Sequence, residues 1–307
     1  MKVLITGGAG FIGSHLVESF QGQDDLSITV LDNLSTGHRE NLGGFDCELI
    51  EASIEDPCAL RDACRGVDYV FHLAAMVSVV ESMDHPDRCV RTNVIGTLNV
   101  MKAAAEAGCR KLMFSSTCAL YGEPSQLPIT EASPPAPMSA YALSKLAGEH
   151  LLAMYADVWN LDFAVMRYFN VFGPRQDPAS PYAAAIPIFI TRALQGKDIT
   201  IFGDGSQTRD FVSVTDVVRA NRLMMQTGRG PYNVGQGTSV SIQAVAEQIV
   251  AATGSSSAIV HLPARAGEVQ HSCSSIDRIA DLGFAPQADL SSGLAATIAY
   301  FRSARRP

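Results

Sequence analysis

Apolar residues first fall in short unbroken runs, then at helical spacing, and the two alternate along the first half of the chain. A β-rich run at 2–6 precedes helical spacing over 11–22, and a second strand is expected at 27–32. Residues 68–73, "DYVFHL", predict a buried strand, 87–107 a long helix, and 111–116 another strand. A helix is expected over 139–159, where Leu143, Leu146, Leu151, Leu152 and Tyr155 recur at roughly 3.6-residue spacing, followed by a strand at 161–168. Strands that are β-branched and apolar on both sides, separated by helices, predict an α/β fold with a doubly wound parallel sheet covered on both faces. Beyond about residue 170 the rhythm loosens. "IFGDGSQTRDF" predicts a strand and a Gly-rich loop, "TDVVRANRLMM" a helix, "PYNVG" a strand, and "SIQAVAEQIVAAT" a helix opened by Ser241. The expected organisation is a domain over 1–168, with elements near 212–236 returning to it, and a smaller mixed domain over 169–307.

Composition narrows the class of function. The 307 residues are 47 % hydrophobic and 18 % charged, an ordinary soluble profile sized for one or two domains. No apolar run approaches the ~18 residues that span a bilayer, and the Gly-broken start "MKVLITGGAGFIGS" does not read as a signal peptide. The seven cysteines are odd in number and form no Cys-x-x-Cys pair, so reduced thiols, a cytoplasmic location and no metal site are expected. A net charge of −8 argues against nucleic acid as a partner, but leaves room for a small anionic ligand held by a few arginines.

Two constellations carry chemistry. In "TGGAGFIGS", Gly7, Gly10 and Gly13 lie between a strand and a helix, where a tight turn, close backbone approach to a pyrophosphate and helix–strand packing all call for glycine. Asp32 follows Gly13 by 19 residues at the end of the second strand; a carboxylate there accepts ribose hydroxyls and repels a 2′-phosphate, so NAD is favoured over NADP. In "YALSK", Tyr141 and Lys145 are four residues apart on one helix face. The Lys145 ammonium, with a nicotinamide cation, is expected to lower the phenol by ~3 pKa units, about 4 kcal/mol, making Tyr141 a general base for a sugar or alcohol hydroxyl. Thr117, at the end of "KLMFSST", is expected to share that hydroxyl.

The Gly loop with Asp32, "HLAA" at 72–75, "TNVIGTLNVM" at 92–101, "SSTCALYG" at 115–122, "YALSKLAGE" and "RYFNVFGPRQDP" together resemble the extended short-chain dehydrogenase/reductase family, and within it the nucleotide-sugar 4-epimerases. The resemblance implies a Rossmann-type NAD domain, a smaller C-terminal domain for a UDP-sugar, and often a homodimer made through the 87–107 and 139–159 helices. It assigns catalysis to Thr117, Tyr141 and Lys145. It assigns the cofactor to Gly7, Gly10, Phe11, Ile12, Gly13, Asp32, Asn33, Ser53, Ile54, Leu73, Ala74, Ala75, Asn93, Ser115, Tyr141, Lys145 and Tyr168. It assigns the UDP-sugar to Ser78, Thr117, Asn170, Arg209, Arg265 and Ser272, with both arginines on the diphosphate.

Departures from the family pattern are informative. Dehydrating and decarboxylating relatives carry an acid between the Thr and the Tyr-Gly; Cys118 and Ala119 offer none, which leaves oxidation and re-reduction at C4 of the sugar. Ser272 stands where a large aromatic would block a 2-acetamido group, so UDP-GlcNAc/UDP-GalNAc turnover is expected beside UDP-glucose/UDP-galactose, and a uronic-acid sugar stays compatible. Ser53 replaces the usual adenine-binding Asp, and Glu268 replaces the Asp of Pro-Gly-Asp. Another nucleotide-sugar reaction, such as a reduction or an atypical dehydration, is the alternative. A non-catalytic dinucleotide sensor is the remote one, since such proteins lose the Tyr or Lys retained here.

Overall fold

The computed structural model describes residues 1–178, 184–264 and 269–303. Among them, the main sheet has seven strands. Six are β1 (Lys2–Thr6), β2 (Ser27–Asp32), β3 (Glu48–Glu51), β4 (Tyr69–His72), β5 (Lys111–Thr117) and β6 (Asp162–Tyr168). The order runs from Gly230–Val234 through β6, β5, β4, β1 and β2 to β3, and the pairs from β6 to β3 are all parallel. This is the doubly wound sheet expected from the hydrophobic runs.

β5 lies near the middle and is buried at all seven positions. Its first residue, Lys111, is tolerated there because Nζ donates to the Thr227 carbonyl (2.8 Å) and the Gly228 carbonyl and meets Asp162 at 3.3 Å. On the helix side of β5, Leu112 and Phe114 join Met101, Ala104 and Leu152 in one core. The Ala140–Tyr155 helix sits close against that strand: a Cβ on Gly148 would stand 2.7 Å from the Phe114 ring, so glycine is required by the approach.

Three expectations change in detail. The helix over 87–107 is Pro86–Val90, a π segment Arg91–Ile95, and Gly96–Glu106. The helix over 11–22 stops at Ser19. β3, "ELIE", was not anticipated: its ends are exposed and its middle half-buried, so it carries no apolar run.

The chain divides into two compact units. The first comprises Met1–Tyr121, Pro134–Tyr168 and Val218–Tyr232; the second comprises the described residues of Gly122–Ser133, Phe169–Val217 and Asn233–Pro307. In the second unit, Ile199–Phe202 pairs in parallel with Ile259–Leu262. The Ala185–Leu194, Ile242–Thr253 and Leu290–Ser303 helices bury Phe189, Ile190, Val245, Ile249, Leu294 and Ile298. Among the described residues, no helix is long and apolar enough to cross a membrane.

Candidate active site

The glycine loop closes on itself more tightly than spacing alone conveys. Gly7 has φ +72°, and a Cβ there would lie 2.7 Å from the Ala74 nitrogen. A Cβ on Gly13 would lie 2.2 Å from the Gly7 carbonyl. Gly10 is the N-cap of helix α1 (Phe11–Ser19), and no side chain caps that end. The first-turn N–H groups of Phe11, Ile12 and Gly13 thus stand at the positive pole of α1, beside backbone that only glycine permits, an arrangement that fits a dinucleotide diphosphate. Asp32 ends β2, 7 % exposed, and accepts from the Ala9 N–H (2.9 Å) and the Leu34 N–H (2.8 Å). Burial raises its carboxyl above the usual value, and those two donors with His38 oppose the rise. Gly37 is part of the same pocket, since a Cβ there would come within 3.0 Å of both Asp32 oxygens; it lay outside any motif.

Around the loop, Leu73 donates its N–H to the Thr6 carbonyl (3.1 Å), which draws Leu73 and Ala74 beside Gly7, with Ala75 next in the chain. Asn33 accepts from the Ser35 N–H at 3.1 Å, and the Ser53 hydroxyl accepts from the Glu55 N–H at 3.1 Å, both local turn contacts. Ile54 is buried, packed where a Cβ on Gly96 would touch it. Asn93, assigned to the cofactor by resemblance, has its amide bonded within the chain. Oδ1 accepts from the Met76 N–H (2.8 Å), and Nδ2 donates to the Met76 carbonyl and the Ser144 hydroxyl (both 2.9 Å). It ties the segment after β4 to the Ala140–Tyr155 helix.

One buried group had no role assigned from the sequence. His72, at the end of β4, is fully buried between two threonines. The Thr97 hydroxyl donates to the Asn93 carbonyl (2.6 Å), so its oxygen accepts from His72 Nε2–H (2.9 Å). The neutral ring then offers Nδ1 as acceptor to the Thr6 hydroxyl (2.8 Å), whose oxygen accepts from the Ala74 N–H (3.3 Å). Burial, with the Lys145 charge, pushes His72 down to about 3, which keeps this ordered chain neutral.

The catalytic candidates meet at the end of β5. Ser139 caps the Ala140–Tyr155 helix by accepting from the Ala142 N–H (3.1 Å), and the Tyr141 N–H donates to Ser82 Oγ (3.0 Å). These contacts fix the first turn, and the Tyr141 hydroxyl is hydrogen-bonded to Thr117. Thr117 Oγ1 also accepts from the Ala119 N–H (3.1 Å). Lys145 Nζ donates to the Ser115 carbonyl (2.9 Å) and lies 4.9 Å from the Phe114 ring centre. The Ser115 hydroxyl bonds the Tyr168 hydroxyl (3.1 Å), which also bonds Asn221.

The expected lowering of Tyr141 combines Lys145 with a nicotinamide cation, and the chain alone shows the starting point. Burial raises the phenol to about 12; the Thr117 bond opposes this, and Cys118 and Cys89 add to it. Lys145 is itself brought down to about 8 by burial, with Cys89 and Glu149 opposing. Its amine is turned to a strand carbonyl, so the chain alone holds Tyr141 as the phenol.

The remaining candidates are placed as follows. Ser78 is the N-cap of Val79–Asp84 and accepts from the Glu81 N–H (3.0 Å). In the second unit, Asn170 pairs with Phe211 and donates its N–H to the Asp210 carbonyl (2.9 Å). Arg209 Nη1 donates to the Thr208 carbonyl at 2.9 Å, and Ser272, buried, donates its N–H to the same carbonyl at 3.2 Å. Arg209 and Ser272 are thus anchored at one place. Sequence reasoning passed over Asp210, whose buried carboxyl accepts from the Gln236, Gly237 and Ser274 N–H groups and fixes the backbone beside Arg209. Arg265 and Glu268 lie outside the described residues.

Comparison with known proteins gives the family. The pattern of the NAD dependent epimerase/dehydratase family matches residues 3–235. The UDP-glucose 4-epimerase of Mycolicibacterium smegmatis is 38 % identical over 312 residues, covering 99 % of each chain. Among solved structures, a UDP-glucose 4-epimerase of Thermotoga maritima with UDP-glucose superposes with a TM-score of 0.95 at 38 % identity, covering 100 % of both chains. A UDP-N-acetylglucosamine 4-epimerase of Methanobrevibacter ruminantium, in complex with UDP-N-acetylmuramic acid, gives the same TM-score and identity, covering 99 % of this chain and 98 % of that one. Proteins named as decarboxylases and dehydratases match as well. The chain belongs to the NAD dependent epimerase/dehydratase family, and NAD is its cofactor.

Proposed function

We propose that this enzyme interconverts the C4 epimers of a UDP-hexose, acting on UDP-glucose/UDP-galactose and on UDP-GlcNAc/UDP-GalNAc. The observation that carries the reading is the Thr117–Tyr141 hydrogen bond at the end of a strand whose next two residues, Cys118 and Ala119, hold no carboxylate. Held by the glycine loop and Asp32, NAD would supply reversible hydride acceptance for oxidation and re-reduction at C4 of the sugar. Tyr141 takes the proton of the C4 hydroxyl and later gives it back, and Thr117 shares that oxygen. Because burial keeps Tyr141 a phenol in the chain alone, its role as a base depends on positive charge added beside it. Lys145, held on the Ser115 carbonyl, is already present in the chain alone, so the added charge would be that of the nicotinamide ring of bound NAD.

Arg209, Arg265 and Asn170 are proposed for the diphosphate, and Ser78 for a polar contact near the sugar. Ser272 leaves space for a 2-acetamido group. Elimination of water or carbon dioxide is disfavoured, since a thiol and a methyl group stand where an acid would be needed. A homodimer is proposed through the Pro86–Glu106 and Ala140–Tyr155 helices, which leave Val90, Ile95, Leu143 and Met154 about half exposed or more.

The test is incubation of the purified protein with UDP-glucose, UDP-GlcNAc and UDP-glucuronate, followed by separation of C4 epimers. Epimers of the first two are expected. No epimer from any of them ends the reading, and a 4-keto-6-deoxy product would reverse the inference from Cys118 and Ala119. Tyr141→Phe is expected to lower turnover at least ~10³-fold while NAD stays bound; an active variant would remove Tyr141 from the reaction.

A further inference from the structure

Tyr141 and Lys145 are the first two members of a longer series. Glu149 follows at the next i+4 position, so all three project from one face of the Ala140–Tyr155 helix. The carboxylate of Glu149 is 8 % exposed, and Arg167 of β6 holds it through Nε, at 3.1 and 3.2 Å to the two oxygens, and Nη2, at 2.6 Å. It also accepts from the Ser116 hydroxyl of β5. Arg167 Nη1 reaches on to the Tyr121 hydroxyl at 2.8 Å, with the guanidinium carbon 5.1 Å from that ring's centre. A buried ion pair costs desolvation and is rarely the most stabilising choice for a core. This one is satisfied on every side and stands directly behind the reacting groups.

Its placement gives the reason. Ser116 lies between Ser115, whose carbonyl holds Lys145, and Thr117, which bonds Tyr141. Tyr121 closes the short turn that follows Thr117. One carboxylate therefore joins the helix bearing Tyr141 and Lys145, the strand end bearing Thr117 and, through Arg167, the turn beyond. We propose that Glu149, clamped by Arg167, is a positioning residue that sets Thr117 and Lys145 against Tyr141. The inference rests on the epimerase reading for its catalytic consequence, but its structural core does not.

The charge of Glu149 matters as well as its reach. The ionisable groups around Lys145 are Cys89 from Pro86–Val90, His72 from β4, and Tyr141 and Glu149 from its own helix. Glu149 is the carboxylate among them, and with Cys89 it favours the Lys145 ammonium against burial. Removing that charge moves the Lys145 titration to lower pH.

Two variants test this. Glu149→Gln keeps the shape and an acceptor for Ser116 and Arg167, and Ser116→Ala cuts the link to the strand without orphaning a charge. Side-chain ¹⁵N NMR of lysine-labelled holoenzyme follows the titration of Lys145. In Glu149→Gln its midpoint is expected to fall by about one pH unit, and an unmoved midpoint overturns the proposal. Ser116→Ala is expected to lower kcat about tenfold with KM for the UDP-sugar within about twofold, the signature of misplaced reacting groups rather than lost binding. Unchanged kcat overturns it too. A wild-type protein that turns over no UDP-sugar would sink the epimerase reading instead, and the NMR titration would still decide the role of Glu149.

Discussion

Acidification should weaken the fold through His72 by an amount that can be worked out. The ring is held neutral, with Nδ1 accepting from Thr6 and Nε2–H donating to Thr97, and burial takes it from 6.5 down to about 3. Its folded value is depressed, so between those limits the unfolded chain binds a proton that the folded chain refuses, and stability rises with pH. The contribution is complete above about 7, is lost progressively as pH falls below 6.5, and levels off near 3. Each pH unit below 6.5 removes about 1.4 kcal/mol, so about 2 kcal/mol is gone by pH 5. Buried Asp32 and Asp210, both raised, act in the opposite sense at lower pH, so the effect is read as a difference. Urea unfolding of the wild type and of His72→Asn, whose side-chain oxygen can still accept from Thr6, is measured from pH 8 to pH 5. The variant is less stable at pH 8, and the gap should narrow by about 2 kcal/mol at pH 5. Parallel curves would show that His72 takes up a proton in the fold as readily as in the unfolded chain, and the ordered Thr6–His72–Thr97 chain would be wrong.

Two further outcomes are expected. Gly13→Ala puts a methyl group against the Gly7 carbonyl and should abolish NAD retention, read from nucleotide released on denaturation; a variant that keeps stoichiometric NAD would refute the packing argument. Leu143→Glu places a charge on the exposed apolar helix face and should convert the proposed dimer to monomer in light scattering, with the far-UV spectrum unchanged; a wild type that is itself a monomer refutes the dimer.

The parallel sheet was legible because β4 and β5 are buried on both sides and therefore write continuous apolar runs. β3 was not, because a four-residue strand with exposed ends has no run to write. The π segment escaped for a related reason: one widened turn at Arg91–Ile95 perturbs a 3.6-residue period too little to be read. In the site, glycine spacing and the Tyr141–Lys145 offset were visible, since both depend on nearby sequence. Glu149, Asp210 and His72 were not. Their partners stand on other strands and loops, Arg167 on β6 for the first and Ser274, 64 positions away, for the second. The bonds of Asn93 were out of sight in the same way, since its amide meets Met76 and Ser144, 17 and 51 positions away.

The division of the chain bears on how such a protein can be recombined. The backbone passes from one unit to the other after Tyr121, Ser133, Tyr168, Val217 and Tyr232. A fragment ending at Tyr168 would retain six strands but lose Gly230–Val234, leaving β6 as a raw edge. It would also strip Asn221 from Tyr168 and the Thr227 and Gly228 carbonyls from Lys111, whose buried ammonium would keep only Asp162. A single crossover after Tyr168 would instead draw Val218–Tyr232, and so the strand beside β6, from the other parent. A chimera that carries a foreign second unit whole needs three grafted segments, and a library built on one junction should return less stable chains.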